Sequence, residues 1–265
     1  MSDAIPLEFA EALRATDDER GVFGARIHYF AETGSTNDLA AAAADRGAPE
    51  GTTFVAGAQT AGRGRRGREW FSPPGSGLYL SMIVRLGSMA TSVTLAGGVA
   101  VAEGIRTATG LPVQIKWPND IVAVGGAGFR ARRKIAGILA EASSGPEGVQ
   151  YVVLGIGINI AGSSFPPELA DRAGSIETEL GRPAEAGAVL AQVLVGLNRT
   201  LAEVPPSLFT HWLELAPSAS GARIEWDTPQ GPRTGVSAGL AEDGALLAHT
   251  ADGLARIIAG EVRWT

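Results

Sequence analysis

The sequence predicts an α+β fold, a mixed β-sheet flanked by helices and followed by a small C-terminal β-barrel. Three observations predict it. Apolar runs of strand length crowd the middle of the chain, and Ala-rich segments with helical spacing lie before, among and after them. Past residue 217 the chain is cut by Gly-containing turns into short stretches.

In chain order, Arg26 to Ala31 (RIHYFA) has the composition of a strand. Ser35 to Arg46 reads as an Ala-rich helix, because it opens on the capping types Ser35, Thr36 and Asn37 and stops before Gly47. Strands are expected at Thr53 to Ala58, Leu78 to Leu86, Val113 to Lys116, Ile135 to Ala142 and Tyr151 to Ile160, with a helix over Ser92 to Thr107. The periodicity is helical again from Ala186 to Leu215, and Pro217 to Gly221 (PSASG) is a small-residue break. Ala222 to Trp264 then holds four short apolar stretches separated at Gly231, Gly244 and Gly253, the pattern of a small barrel. The expected division is one domain over residues 1–216 and a second over 217–265.

The composition of the 265 residues, 45% hydrophobic and 19% charged, excludes a disordered tail, a collagen-like array and a coiled coil. The balance of 22 basic against 28 acidic residues argues against a surface that tracks nucleic acid throughout, so any basic site must be local. Cysteine is absent, which removes disulfides, a thiolate nucleophile and Cys-based metal sites, and three histidines leave little room for a His-rich metal centre. No metal-ligand set is therefore expected. The first residues do not form a signal peptide and no apolar run reaches membrane-spanning length, so a cytoplasmic protein is expected.

Gly62 to Arg68 (GRGRRGR) carries four arginines in seven residues. It fits the G-x-G-x-x-G dinucleotide pattern, but Trp70 to Pro74 (WFSPP) blocks the helix that pattern needs, and no Asp or Glu occurs from Trp70 to Ala102 to hold a ribose. What remains is a glycine loop with bidentate donors suited to carboxylates and phosphates. A second cluster, Arg130, Arg132, Arg133 and Lys134, follows the Gly-rich stretch Gly125 to Gly128. Two polycationic loops in an acidic chain point to an anionic substrate such as a nucleoside triphosphate, with a nucleic-acid backbone as the alternative.

Lys116 to Asp120 (KWPND) presents a cation, an amide and a carboxylate around Pro118, either as a reactive corner or as an Asn-Asp turn closing a hairpin. Lys134 to Glu141 (KIAGILAE) and Gly155 to Asn159 (GIGIN) alternate small with branched apolar residues, and glycine within a strand marks close approach of a ligand or backbone. Gly235 to Gly239 (GVSAG) matches a nucleophile elbow around Ser237, but the 28 residues that follow are cut into turns by Gly244 and Gly253, so a serine hydrolase is not expected.

Taken together, GSTND (Gly34 to Asp38), QTAGRGRRGREW (Gln59 to Trp70), GLYLSM (Gly77 to Met82), KWPND, KIAGILAE and GIGIN closely resemble the biotin protein ligases. The motifs come in that family's order over about half the chain, and DGALL (Asp243 to Leu247) and AGEV (Ala259 to Val262) resemble its small C-terminal domain. The resemblance implies a class II synthetase-like catalytic domain with an SH3-like barrel. It also implies a two-step ligation in which biotin's carboxylate attacks the α-phosphate of Mg²⁺·ATP, and a lysine of a biotin carboxyl carrier protein then takes the biotinoyl group from biotinoyl-5′-AMP. No enzyme nucleophile is needed for this, in keeping with the absence of Cys.

By the same resemblance Ser35, Thr36 and Gln59, with Asn37 alongside, match residues that bind the ureido ring. Arg63, Gly64 and Arg65 match the loop that covers biotin and adenylate, and Lys134 matches the lysine on the acyl and phosphate oxygens. Lys116 and Asp120 match a polar pair at the reacting carbonyl, with Asp120 orienting the carrier lysine or helping to hold metal. Gly137 and Gly157 leave room for the valeryl chain. Arg65, Arg66, Arg68, Trp70, Lys116, Asn119, Lys134 and Asn159 form the nucleotide side, so that Lys134, Arg65, Lys116 and Asp120 are the catalytic set.

Only 25 residues precede Arg26, so a monofunctional ligase without an N-terminal DNA-binding domain is expected, with no DNA and no membrane among its partners. The Gly125 to Arg133 segment is longer than in comparable members, and no Trp lies between Asn159 and Trp212 to act as an adenine platform. A lipoate protein ligase is the alternative of the same chemistry, and a nucleic-acid-binding regulator is the alternative of a different class.

Overall fold

A computed structural model describes residues 2–85, 90–124, 132–146, 148–162 and 165–265. Seven strands form the main sheet: β1 (Ile27–Phe30), β2 (Thr53–Ala56), β3 (Gly77–Val84), β4 (Val113–Lys116), β5 (Asp120–Ala123), β6 (Lys134–Gly145) and β7 (Gly148–Asn159). Their order is β1-β2-β3-β7-β6-β5-β4, with β1 and β2 parallel and every other neighbour antiparallel, so the sheet is mixed as expected. The α+β class stands. β5 is a strand the sequence reading passed over, because it lies directly behind the KWPND turn. Leu86, the expected end of β3, and Gly125 to Gly128 with Arg130 lie outside the described residues.

Period-2 alternation explains both faces. Leu78, Leu80, Met82 and Val84 of β3 and Val152, Leu154, Ile156 and Ile158 of β7 enter one core, packed against α3 (Ala90–Thr109) and, behind it, α5 (Ala186–Thr200). α5 is followed by a separate helix, α6 (Pro205–Leu215), because Pro205 opens a new first turn where the sequence reading had run the two together. On the opposite face α2 (Thr36–Asp45) packs its Ala40, Ala43 and Ala44 on Phe54, Ile83 and Val153. The N-terminal residues, which carried no structural expectation, form α1 (Leu7–Ala15), whose Phe9 and Leu13 are buried in the first core.

The second sheet comprises β8 (Ser220–Thr228), β9 (Gly231–Leu240), β10 (Leu246–Thr250), β11 (Gly253–Ile257) and β12 (Val262–Trp264), in the order β11-β10-β9-β8-β12 and antiparallel throughout. It has five strands rather than four apolar stretches, because Val262–Trp264 pairs back on β8. Ser237 lies buried within β9, where its hydroxyl donates to Ser218 O and accepts from Ala222 N, so it is no nucleophile. Among the described residues no helix is long and apolar enough to cross a membrane.

His211 on α6 ties the helical layer together, with Nε2 2.9 Å from Glu103 Oε1 and Nδ1 3.2 Å from Glu203 Oε1. Burial opposes its charge, but the two carboxylates outweigh burial and raise its pKa above the ordinary value. A raised native pKa gives stability that is complete below the unfolded value of about 6.5 and is lost as pH rises through the native value. Urea denaturation of His211→Gln against the parent should therefore show a stability gap at pH 6 that narrows towards pH 9. A gap independent of pH would contradict this linkage.

Candidate functional site

The part of its own face of the main sheet that α2 leaves uncovered carries the other set of alternating residues. Register aligns Tyr79 with Gly157, Gly157 with Gly137 and Gly137 with Asp120, while Ser81, Gly155 and Leu139 form the next row. The glycines of KIAGILAE and GIGIN therefore lie side by side and hollow a slot across three strands. A Cβ on Gly155 would come within 2.1 Å of Asn37 Oδ1, and one on Gly157 within 2.4 Å of the Trp70 indole.

One end of the slot is polar. Thr36, at the start of α2, directs both its backbone N–H and its hydroxyl to Gln59 Oε1, at 2.9 and 3.1 Å. Gln59 Nε2 donates to Ser72 Oγ at 3.1 Å, and Ser72 donates to Trp70 O at 2.8 Å. Ser81 Oγ lies 2.6 Å from Asn37 Oδ1, to which it can donate, and 2.7 Å from the Thr36 hydroxyl, and Asn37 Nδ2 donates to Glu141 Oε2 at 2.6 Å. Ser35, Thr36 and Asn37 are all buried. The expected ureido set of Ser35, Thr36, Asn37 and Gln59 is thus brought to one place with Gly137 and Gly157, around a slot of about 40 Å³.

The arginine loop crosses above this slot. Gly64 N donates to Arg68 O and Trp70 N to Gly62 O, closing a tight turn in which Arg66 takes the left-handed conformation at φ 59° and Gly67 follows at φ 71°. The like charges are answered by partners distant in sequence. Arg63 pairs with Asp38 and Glu141, Arg65 donates to Asn119 Oδ1 at 3.1 Å, and Arg68 pairs with Glu261 at 2.9 Å. Burial lowers the pKa of Arg65, Arg66 lowers it further and Asp120 opposes them. The hydrogen bond from Arg68 lowers the pKa of Glu261 despite its burial.

KWPND does both things the sequence allowed. It closes the β4–β5 hairpin, with Lys116 opposite Asp120 in register, and it lines a cavity. The bond made by Asp120 goes not to Lys116 but to Lys134 Nζ, at 2.6 Å. Lys134 also stands 5.1 Å over the Trp70 ring, and its backbone is fixed by bonds to Arg172 O and from Gly174 N. Asn119 Nδ2 donates to Ile138 O, and Asn159 Nδ2 donates to Gly174 O, so both amides also brace the walls.

The cavity beside the slot measures about 550 Å³ and holds Gly64, Arg65, Arg66, Arg68, Trp70, Lys116, Asn119, Asp120, Lys134 and Asn159, the expected nucleotide side. Lys134, Trp70, Arg65 and Asn119 line both spaces. Trp70, expected on the nucleotide side only, lies with its ring against Gly137 and Gly157, since an aromatic fills the space two facing glycines leave. The second sheet completes the cavity through Gly260, Glu261 and Val262, and Trp117 Nε1 donates to Gly244 O at 3.1 Å across the junction.

Sequence reasoning missed Ser81, Ser72, Glu141, Glu261 and Arg172. For Ser81 a signal existed: it is a lone polar residue on an otherwise apolar strand. Among the described residues no group of three or more His, Asp or Glu could hold a metal ion.

Chemically, the arrangement is a narrow slot with a hydrogen-bonding end, opening past one lysine–aspartate pair into a cationic cavity of nucleotide size. Residues 29–159 match the Biotin/lipoate A/B protein ligase family, and residues 220–263 match the Biotin protein ligase C terminal domain. The chain is similar to a biotin–[acetyl-CoA-carboxylase] ligase of Paracoccus denitrificans, 32% identical over 88% of this chain and 98% of that one. It is also similar to a bifunctional ligase/repressor BirA of Bacillus spizizenii, 34% identical over 91% of this chain and 74% of that one. Among solved structures it resembles the biotin protein ligase from Aquifex aeolicus in complex with biotin and ATP, with a TM-score of 0.76 and 28% identity, covering 91% of this chain and 99% of that one.

Proposed function

The chain belongs to the biotin protein ligases of the biotin/lipoate A/B protein ligase family, and on that footing we propose how its own residues carry out the ligation. The reaction is ATP-dependent activation of biotin as biotinoyl-5′-AMP, followed by transfer of the biotinoyl group to a lysine of a carrier protein. The observation that carries the assignment of residues is the Lys134–Asp120 pair, which stands where the glycine-floored slot meets the cationic cavity.

Biotin's ring enters the polar end of the slot, where Ser35, Thr36, Asn37 and Gln59 meet its ureido group, and the valeryl chain runs over Gly137 and Gly157. ATP takes the larger cavity, its phosphates facing Arg65, Arg66, Arg68 and Lys116 and its nucleoside near Asn119, Asn159 and Trp70. Two anions must approach one another, and preorganised positive charge is what lowers that barrier. A carboxylate oxygen of biotin forms a bond to the α-phosphorus as the bond to the bridging α–β oxygen breaks and pyrophosphate leaves. Lys134 stabilises charge on the acyl and α-phosphate oxygens, with Asp120 keeping its ammonium aimed at them. In the second step the neutral amine of the carrier lysine attacks the acyl carbon, AMP leaves, and the amine's proton passes to Asp120 or solvent.

Mg²⁺ would accompany the triphosphate and lower its charge, and Asp120, one of the carboxylates lining the cavity, would help to hold it. The acceptor is a biotin carboxyl carrier protein or domain of a biotin-dependent carboxylase, met in the cytoplasm. Residues 1–216 form the catalytic domain and 217–265 the small C-terminal domain, which closes the nucleotide cavity through Glu261.

The hydrogen-bonding end of the slot favours biotin over lipoate, whose dithiolane offers no N–H. Pyrophosphate release from Mg²⁺·ATP should therefore require biotin and should not occur with lipoate or with neither acid, all without carrier. Release with lipoate alone would move the chain to the lipoate ligases, and no release with either acid from folded protein would overturn the proposal.

A further inference from the structure

Glu261 is a carboxylate that the second sheet sends into the cationic cavity. It follows Gly260, whose φ of 132° turns the chain, and precedes Val262, which is completely buried and pairs with Trp226 of β8. The acid is thus held by a strand, while its partner belongs to the arginine loop. Its Oε2 accepts from Arg68 Nη2 at 2.9 Å, with the Arg68 side chain 67% and the Glu261 side chain 40% exposed. The hydrogen bond from Arg68, aided by the charges of Lys116 and Arg172, outweighs burial and holds the Glu261 pKa below its ordinary value. Arg66 is close as well, since a Cβ on the adjoining Gly260 would stand 3.7 Å from its Nη2. Glu261 therefore lies among the cations that line the cavity, and Arg66, Arg68 and Lys116 are those that face the triphosphate in the proposed function. A carboxylate there and the phosphates of a nucleotide want the same donors and repel one another.

We propose that Glu261 is a built-in counter-ion of the triphosphate subsite, which holds Arg68 before nucleotide arrives, yields it to the β- and γ-phosphates of ATP, and takes it back as pyrophosphate leaves. It is a positioning residue that acts through Arg68. Pyrophosphate consists of the same two phosphates, so the competition weakens the binding of ATP and of pyrophosphate by the same factor. A change shared by substrate and product alters affinity and leaves the chemical step alone. The gain is release: six cationic side chains, Arg65, Arg66, Arg68, Lys116, Lys134 and Arg172, line this cavity, and an anion as highly charged as pyrophosphate leaves them more readily when a carboxylate replaces it. Biotin is unaffected, because Glu261 lines the cavity and not the slot. The inference rests on the reading of this cavity as the site of ATP.

The test compares the parent with Glu261→Gln, Glu261→Ala and Glu261→Asp in two measurements. Calorimetry gives the Kd of Mg²⁺·pyrophosphate, which needs no turnover, and biotin-dependent pyrophosphate release gives the KM for ATP. In both neutral variants the Kd should fall by about 3-fold to 10-fold, the coupling of an exposed ion pair increased by the further cations that Glu261 faces. The KM for ATP should fall by the same factor, and the Kd for biotin alone should stay within about twofold of the parent. Glu261→Asp, which keeps the charge and shortens its reach, should lie between the parent and Glu261→Gln. If the parent releases pyrophosphate with biotin but the neutral variants bind it no more tightly, the inference fails and the ligase assignment stands. A Kd that rises in them would make Glu261 a support of the phosphates and overturn the inference, and a biotin Kd that shifts in step would make its role structural and do the same. Tighter pyrophosphate binding in the neutral variants, with no biotin-dependent release by the parent, would sink the ligase reading and keep the counter-ion. If Glu261→Gln does not fold, Glu261→Ala carries the same test, with an unchanged Kd for pyrophosphate as the contradicting result.

Discussion

Replacing Lys134 by alanine is expected to slow biotin-dependent pyrophosphate release about 100-fold to 1000-fold, the range found when one preorganised donor to a developing oxyanion is removed. The expectation follows from position. Lys134 opens β6 where both spaces meet, its ammonium is 2.6 Å from Asp120, and its backbone is clamped by Arg172 and Gly174, so little reorganisation is needed when the anions arrive. The side chain is a third exposed and its partner a quarter exposed, so its loss should barely change the fold. Single-turnover kinetics with Mg²⁺·ATP and biotin measures this directly. A loss of less than tenfold, with an unchanged melting temperature, would remove Lys134 from the chemistry.

Arg65→Ala is expected to raise the rate at which biotinoyl-5′-AMP escapes the protein by about 10-fold to 150-fold, corresponding to loss of a hydrogen bond to a charged group. Burial and the neighbouring Arg66 both disfavour charge on Arg65, with only Asp120 opposing them. A phosphate bound beside it relieves that tension, so the loop and the intermediate hold one another. Asn119 sets the direction, since its Oδ1 accepts from Arg65 while its Nδ2 is fixed on Ile138 O. The escape rate can be read by trapping the released adenylate. An unchanged rate would mean that the loop does not shield the intermediate.

Much of this site is legible in the sequence because its parts are local. KIAGILAE and GIGIN show by spacing that their glycines share faces, and antiparallel register then sets Gly137 against Gly157. The helix start is read at the right place, with Ser35 at the N-cap position of α2, although its side chain makes no capping hydrogen bond. The remainder depends on partners that no local pattern names. The arginines of the loop are answered by Asp38, Glu141 and Glu261, separated from them by 25, 78 and 193 residues. Likewise, the resemblance names Lys116 and Asp120 together at the reacting carbonyl but not the ion-pair partner of Asp120, which is Lys134, brought in by the neighbouring strand β6. α1 went unread because its short apolar face, Phe9 and Leu13, becomes meaningful only against α5.

Trp70 shows the same limit. As a residue in GREW it belongs to the loop, yet its ring lies on two glycines of the sheet and under the ammonium of Lys134, which puts it at the boundary between slot and cavity. A position there lets one side chain border both substrates.

On the proposed reading, slot and cavity together make a mixed anhydride between biotin and AMP. Mass spectrometry of the protein after incubation with Mg²⁺·ATP and biotin, without carrier, tests it most directly. Biotinoyl-5′-AMP should be retained on the folded protein and discharged when a carrier domain with its acceptor lysine is added. Pyrophosphate formation with no adenylate retained, or an adenylate that persists unchanged in the presence of carrier, would contradict it.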